Sequence, residues 1–330
     1  MVEWLIDAGI GETRAVLVEG ERIIEARIER DTPLRAGAVV RGKVAKILVK
    51  GRRALVETAG GEALLEPLGP GLVEGGTALF KVVREAIPEA GRPRLPRLAH
   101  VPDAKAESPA PPLVERLRAT APVVRARPDA AALEAAGWSE LIEEARTGEI
   151  AFGMGRLRTT RTPAMLLIDV DGDADPTELM VAGARAAAIA VRRLDVTGSI
   201  GIDLPTVPGK PPRQSAAAAV DAVLPQPFER TAVNGFGFLQ VVRPRLRPSL
   251  IEQIRGDAAG SAAREALRRA AWANGAGPVT LTLAPPVEDA LAAHPDWIDA
   301  LARQLGAPVR LQGEAGRPIW SIDVHRPPIR

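Results

Sequence analysis

Aspartates stand at alternate positions in one short stretch, Asp169, Asp171, Asp173 and Asp175, and a further one, Asp203, closes a second apolar run downstream. Carboxylates gathered at one place repel one another unless a cation joins them. The matching cation is a hard one that prefers oxygen ligands, Mg²⁺ or Mn²⁺. Asp169 ends the apolar run Ala164 to Ile168, and Asp203 ends Ser199 to Ile202. A charge there is costly unless something pairs with it. Asp173 and Asp175, just ahead of Pro176, fit equally well as a solvated turn and a helix cap.

The elements that must position these groups follow from the same stretch. An apolar run, an acidic turn, an Ala- and Arg-rich segment opened by Pro176, a stop at Thr197-Gly198 and a second apolar run read as strand, helix, strand. A crossover helix between two buried strands makes them parallel. Their C-terminal ends then share one edge of the sheet, where α/β proteins place their sites. Asp169 and Asp203 are expected side by side there, with Asp171 close by.

Composition narrows the chemistry. The 330 residues include no cysteine, which excludes disulfides, thiolate nucleophiles and cysteine-held zinc. The three histidines, His100, His294 and His325, all lie away from the acidic stretch in sequence. No run has the length of a membrane span, and the first residues are strand-like rather than a signal peptide. The expected location is the cytoplasm, with no membrane partner.

Charge is unevenly placed. Between Arg35 and Arg97 there are 12 Lys and Arg against 6 Asp and Glu, and between Leu204 and Leu250 there are 6 against 2. The segment Pro163 to Asp203 reverses the balance, with 7 acids against 3 bases. An acidic centre between basic flanks suits a polyanionic substrate that meets a metal.

Along the chain, residues 2–30 alternate as a small antiparallel meander. Residues 35–87 give short strands between Gly-rich turns, the pattern of a small barrel. Its basic side, with Arg41 and Lys43, fits nucleic acid. Yet Phe80 is its one aromatic, and Leu55, Leu64 and Leu65 stand where base-stacking rings are expected, which fits a structural module as well. Residues 88–112 read as a Pro-rich linker, 113–147 as helical and 148–162 as a hairpin. After Asp203, a Pro-rich loop carries Lys210 and Arg213. Arg243, Arg245 and Arg247 then alternate on an extended segment, an arrangement able to clamp phosphates. The last 80 or so residues alternate helices and strands and carry no chemical cluster.

Three short segments carry a family resemblance. Ile168-Asp169-Val170-Asp171, Asp195-Val196-Thr197-Gly198 and Ile202-Asp203-Leu204 are followed by Phe236-Gly237-Phe238-Leu239-Gln240 and by the run from Arg243 to Leu250. Their order and spacing resemble the ribonuclease E/G family of bacterial endoribonucleases. The resemblance implies an α/β (α+β multidomain) chain. An OB-type β-barrel at 35–98 would be inserted in a ribonuclease-H-like domain at 1–34 and 99–162. A deoxyribonuclease-I-like catalytic domain at 163–250 and a small C-terminal α/β domain at 251–330 would follow. By the same resemblance, Asp169 and Asp203 would bind Mg²⁺ (or Mn²⁺) with Asp171 as helper. Single-stranded RNA would be cut, with Arg213, Lys210, Arg243, Arg245, Lys43 and Arg41 on its phosphates.

The chain departs from that family at named places. Asp171 stands where the family has Asn. The Cys motif that links subunits through zinc is missing, so a homo-oligomer would rest on packing alone. The interval between barrel and catalytic half is too short for the family's 5′-end sensor, which implies indifference to 5′ phosphorylation. These departures also fit a catalytically degenerate RNA-binding or scaffold protein. A further alternative is a haloacid-dehalogenase-type phosphatase. The run Leu166 to Asp173 resembles the Asp-x-Asp-Gly-Thr motif of that superfamily, with Asp173 in place of the Thr.

Overall fold

The structure is a computed structural model. It describes residues 2–89, 93–119, 124–125 and 130–328, with backbone alone at 124, 125, 130 and 131. The chain begins with the expected meander, β1 (Val2–Ala8), β2 (Glu12–Glu19) and β3 (Arg22–Arg30). It then enters the barrel, formed by β4 (Val39–Val49), β5 (Arg53–Thr58), β6 (Gly61–Leu65), β7 (Thr77–Arg84) and β8 (Arg97–His100). The barrel closes in the order β4-β5-β6-β8-β7, with β6 and β8 parallel. Small and branched side chains such as Val44, Ala54, Val56 and Val82 fill it. Leu65 and Phe80 also point inward and are fully buried, so neither offers a surface for a base. Leu55 and Leu64 face outward and pair across β5 and β6.

The region read as helical over 113–147 is broken in three. It holds α1 (Leu113–Arg118), α2 (Ala130–Ala135) and α3 (Trp138–Thr147), with a short strand, β9 (Val124–Arg125), between the first two. That strand joins β1 in parallel, so the first sheet runs β3-β2-β1-β9. Residues 120–123 and 126–129 of this interval lie outside the described residues.

The second sheet takes β10 (Glu149–Phe152), β11 (Gly155–Arg161), β12 (Leu166–Asp171), β13 (Gly198–Asp203), β14 (Glu229–Arg230) and β15 (Phe238–Arg243). Its order is β10-β11-β12-β13-β15-β14. The hairpin β10–β11, expected with the first domain, therefore belongs to the acidic sheet: β11 pairs with β12 along its length. The crossover helix α4 (Pro176–Arg193) joins β12 to β13, and α5 (Pro211–Asp221) follows. Alternation sorts each strand by face. Leu166, Ile168, Val170, Ile200, Ile202, Leu239 and Val241 are buried beneath these helices. The same core reaches one face of the first sheet through Val16, Val18, Ala26 and Ile28. A helical layer thus lies between two sheets, an arrangement that buries both apolar faces.

The C-terminal unit starts later than residue 251. Helix α6 (Leu250–Gly256) buries Leu250, Ile251 and Ile254 in the large core, and its Ser249/Glu252 capping box fixes its start. A separate core begins in α7 (Ala258–Ala271). It is completed by β16 (Val279–Leu283), α8 (Pro285–Ala292), α9 (Pro295–Leu305), β17 (Val309–Gly313) and β18 (Asp323–His325), in a sheet ordered β17-β16-β18. No helix among the described residues is long and apolar enough to cross a membrane.

Candidate metal centre

Strands β12 and β13 are parallel neighbours, and Asp169 sits directly opposite Asp203 in their register. Facing positions on adjacent strands lie about 4.8 Å apart. Both carboxylates project from the sheet face that the helices leave uncovered, and both residues are exposed. Asp171, two residues on, shares that face and is half-buried. Partial desolvation pushes the Asp169 carboxyl up, and the charges of Asp171 and Asp203 push it further. Arg158 and the Val170 N–H pull against them. Like charges held together by the strand register make a place where a cation is favoured.

The donor set is oxygen only, which fits Mg²⁺ or Mn²⁺ and excludes a thiophilic metal. Among the described residues, no three His, Asp or Glu side chains gather closely enough to hold an ion by themselves. A pair of carboxylates nevertheless fits Mg²⁺, which keeps water and takes its remaining oxygens from substrate phosphates. The neighbouring acids have other work. Asp175 caps α4, accepting from the N–H groups of Thr177 at 2.9 Å and Glu178 at 3.2 Å. Asp173 is exposed in the turn before it.

Two loops frame the carboxylates. The segment after Asp203 leads to Lys210, exposed, and Arg213, in the first turn of α5. Arg213 donates to the Gly209 carbonyl at 2.8 Å. The loop before β15 meets it: Thr206 Oγ1 donates to the Phe236 carbonyl at 3.0 Å, and the Leu204 N–H to the Gly237 carbonyl at 3.2 Å. Gly237 has φ 88°, and a Cβ there would lie 2.2 Å from the Leu204 carbonyl oxygen. The turn thus requires glycine on both counts.

Arg243 and Arg245 are placed otherwise. Arg243 pairs with Gly198, at the end of β13 remote from Asp203. It donates to the Val196 carbonyl at 2.7 Å. Arg245 is bonded to Glu252, and Arg247 to Asp195 at 2.7 Å. All three arginines are spent on protein groups. Arg41 and Lys43 are exposed on the outer face of the barrel.

The structure also brings up two residues that the sequence pattern did not single out. Arg156 and Arg158, both exposed, stand on β11 opposite Asp171 and Asp169. Their signal was the alternation of Arg156, Leu157 and Arg158 in a strand that pairs with the acidic one. An open cleft of about 610 Å³ lies between Arg156, Asp171 and Asp173. A larger one, about 720 Å³, lies near Ile23, Glu140 and Arg192 and holds none of the sequence-selected residues. No protein-family model and no curated protein matches this chain.

Proposed function

We propose that the chain is a Mg²⁺-dependent endoribonuclease that hydrolyses phosphodiester bonds of single-stranded RNA, built on the plan of the ribonuclease E/G family. The observation that carries this reading is the in-register pair Asp169 and Asp203 on an uncovered sheet face. The architecture supports it. A closed barrel with parallel third and fifth strands fits an OB-type module, and a sheet of three antiparallel strands plus one parallel strand fits a ribonuclease-H-like one. The acidic sheet with its crossover helix takes the place of the deoxyribonuclease-I-like catalytic domain.

In this reading Asp169 and Asp203 would hold the ion, with Asp171 as a helper on the same face. When bound, Mg²⁺ supplies positive charge to a phosphoryl oxygen and lowers the pKa of attached water. The loop-borne Lys210 and Arg213 hold the RNA backbone beside the carboxylates, and Arg41 and Lys43 on the barrel extend the basic track. Any homo-oligomer rests on packing, because there is no cysteine to bind zinc. The test is labelled single-stranded RNA incubated with the purified protein in Mg²⁺ and in EDTA. Internal cuts that appear only with Mg²⁺, and vanish in Asp203→Asn, support the reading.

One observation favours a second reading, a non-cleaving RNA-binding protein of the same fold. The ion's protein ligands reduce to a pair of exposed acids, with Asp171 only half-buried beside them. Binding of RNA without Mg²⁺-dependent cuts would decide for it.

A further inference from the structure

The row that contains the two carboxylates does not stop at them. Strand pairing extends it to Arg158 on one side, opposite Asp169, and beyond it to Glu149, whose carboxylate forms an exposed 3.7 Å ion pair with Arg158 that a phosphate would replace; on the other side it extends to Phe238, opposite Asp203. At about 4.8 Å per strand the row from Arg158 to Phe238 spans about 14 Å, with the acids between. All four residues are on the face away from α4 and α5.

Phe238 is not a core residue. Its neighbours in sequence, Leu239 and Val241, fill the core, while Phe238 alternates to the opposite face and remains partly exposed. Its ring leans across β13. A Cβ on Gly201 would lie 2.6 Å from the Phe238 Cζ and 2.8 Å from the Leu167 Cδ2. Gly201 therefore makes room for the ring to lie down against Leu167, where any other residue would lift it. The turn that carries the ring is rigidly tied. The Asn234 carboxamide oxygen accepts from the Phe236 N–H at 2.9 Å and the Phe238 N–H at 3.0 Å. That turn also presents Phe236 at 81% exposure. In a chain with only 5 Phe, 5 Trp and no Tyr, two partly or wholly exposed rings at one turn beside the carboxylates stand out. Large apolar groups left in water on a fixed turn mark a binding surface.

We propose that a single-stranded RNA crosses this sheet face along the row, perpendicular to the strands, with one nucleobase stacked on the Phe238 platform and a phosphate on Arg158. A cation, a pair of carboxylates able to share a metal, and an aromatic ring set just beside the row, over Gly201, match the alternation of phosphate and base along one strand. A ring offers any base a face to stack on, and a guanidinium offers any phosphate its fork of donors. A duplex keeps its bases inside the helix and cannot use such a platform. The assignment rests on the ribonuclease reading and gives it a direction, placing the scissile phosphate between the Arg158 and Phe238 ends.

The experiment measures binding of a fluorescent single-stranded RNA oligonucleotide in the Asp203→Asn background, so that cleavage does not interfere. Phe238→Leu keeps Gly201 covered but removes the aromatic face, and Phe238→Ala removes both. Each should weaken binding about tenfold with an unchanged dependence on salt. In oligonucleotides that lack one base, a single abasic position should abolish the penalty of Phe238→Leu, because the two changes delete one contact. Arg158→Gln should instead flatten the slope of log affinity against log salt by about 0.7. Wild-type affinity in Phe238→Leu, or additivity with every abasic position, overturns the platform. Mg²⁺-dependent cleavage by the parent protein would then leave the nuclease reading standing. A parent protein that binds no single-stranded RNA overturns both.

Discussion

The two ends of β13 hold opposite kinds of charge cluster. At its C-terminal end Asp203 faces Asp169 in water, like against like, and the Asp169 carboxyl is pushed up by desolvation and by its neighbours. At its N-terminal end Asp195 is 2% exposed. It accepts an ion pair from Arg27 at 3.1 Å and another from Arg247 at 2.7 Å. Arg243 donates to the neighbouring Val196 carbonyl, and Arg245 is bonded to Glu252. Asp195 even holds a left-handed backbone, φ 50°, which a non-glycine residue adopts only when its surroundings insist. One end is satisfied by buried ion pairs; at the other, two carboxylates face each other with only the exposed Arg158 opposite Asp169. A charge cluster that the fold has paired carries structure. One that rigid strands hold together in water, like against like, is the candidate for function under the reading proposed above.

The strongest way to break this contrast is Asp203→Asn. Loss of a ligand to a catalytic metal removes several kcal/mol of transition-state stabilisation, so RNA cleavage should fall about a thousandfold. The fold should not suffer, since one member of a repelling pair has been neutralised. A urea midpoint at or above that of the parent, measured with the cleavage rate, is the expected pair of results. A large loss of stability would mean that Asp203 is structural after all.

Asp195→Ala is the mirror test. It leaves Arg27 and Arg247 without their shared counter-charge inside the protein, a change that costs about 3–5 kcal/mol. Equilibrium urea denaturation should show it. Metal binding, followed by Mn²⁺ titration of the folded variant, should remain. An unchanged urea midpoint would remove the distinction between the two ends.

These clusters differ in how far the sequence reveals them. Asp169 and Asp203 are legible because each ends an apolar run, and a helix-length segment between the runs forces the strands parallel. Four strands of the barrel are legible from strand length and turn chemistry, but the closing strand β8 lies inside the Pro-rich stretch read as a linker, where prolines hide its four residues. The strand β9 is not, because two residues leave no periodicity to read. Alternation marked Arg243, Arg245 and Arg247 as one-sided, but alternation does not say what the side faces. Their partners, Val196, Glu252 and Asp195, come from two other segments that only the folded chain brings near. Arg158 and Phe238 were hidden for the same reason. Their meaning comes from the register of β11 and β15 against the acidic strands, which is a property of the sheet and not of either segment.

A third ionic group, at the seam between the first sheet and α7, extends the comparison to pH. Glu265 is buried, which opposes its charge, but hydrogen bonds and charge from Arg268, with Arg14 and Arg269, outweigh this and hold its carboxyl below the usual range. A lowered folded value means that its contribution is complete above the unfolded pKa, about 4.3, and fades as pH falls through the folded value. Stability should therefore drop below about pH 4.3. Glu265→Gln should lose about 1–3 kcal/mol at neutral pH, the cost of leaving buried donors under-satisfied, and show a shallower acid dependence. Urea midpoints across that range provide the check. Parallel acid profiles for the parent and variant would show that other carboxylates govern the transition.

The smallest effect is the change in salt slope expected at Lys210 and Arg213, and it divides the basic residues that the sequence grouped as RNA contacts by their end of the sheet. Lys210 and Arg213 lie on the loop and first helical turn after Asp203, at the C-terminal end of β13. Neutralising either to Gln removes one phosphate contact, so the slope of log affinity against log salt should flatten by about 0.7 for single-stranded RNA. Lys210 is exposed, and the half-buried Arg213 gives up only a surface bond to the Gly209 carbonyl, so the urea midpoint should stay put. Arg243 and Arg245, bonded to Val196 and Glu252, should behave in the opposite way. Their Gln variants should lose about 1–3 kcal/mol of stability, because buried partners lose a charged donor, while the salt slope stays that of the parent. Four variants and two measurements therefore sort the basic residues into those that meet the ligand and those that hold the sheet. A flattened slope in Arg243→Gln with an intact urea midpoint would put RNA at the N-terminal end of β13. The row from Arg158 to Phe238 would then not be the path it takes.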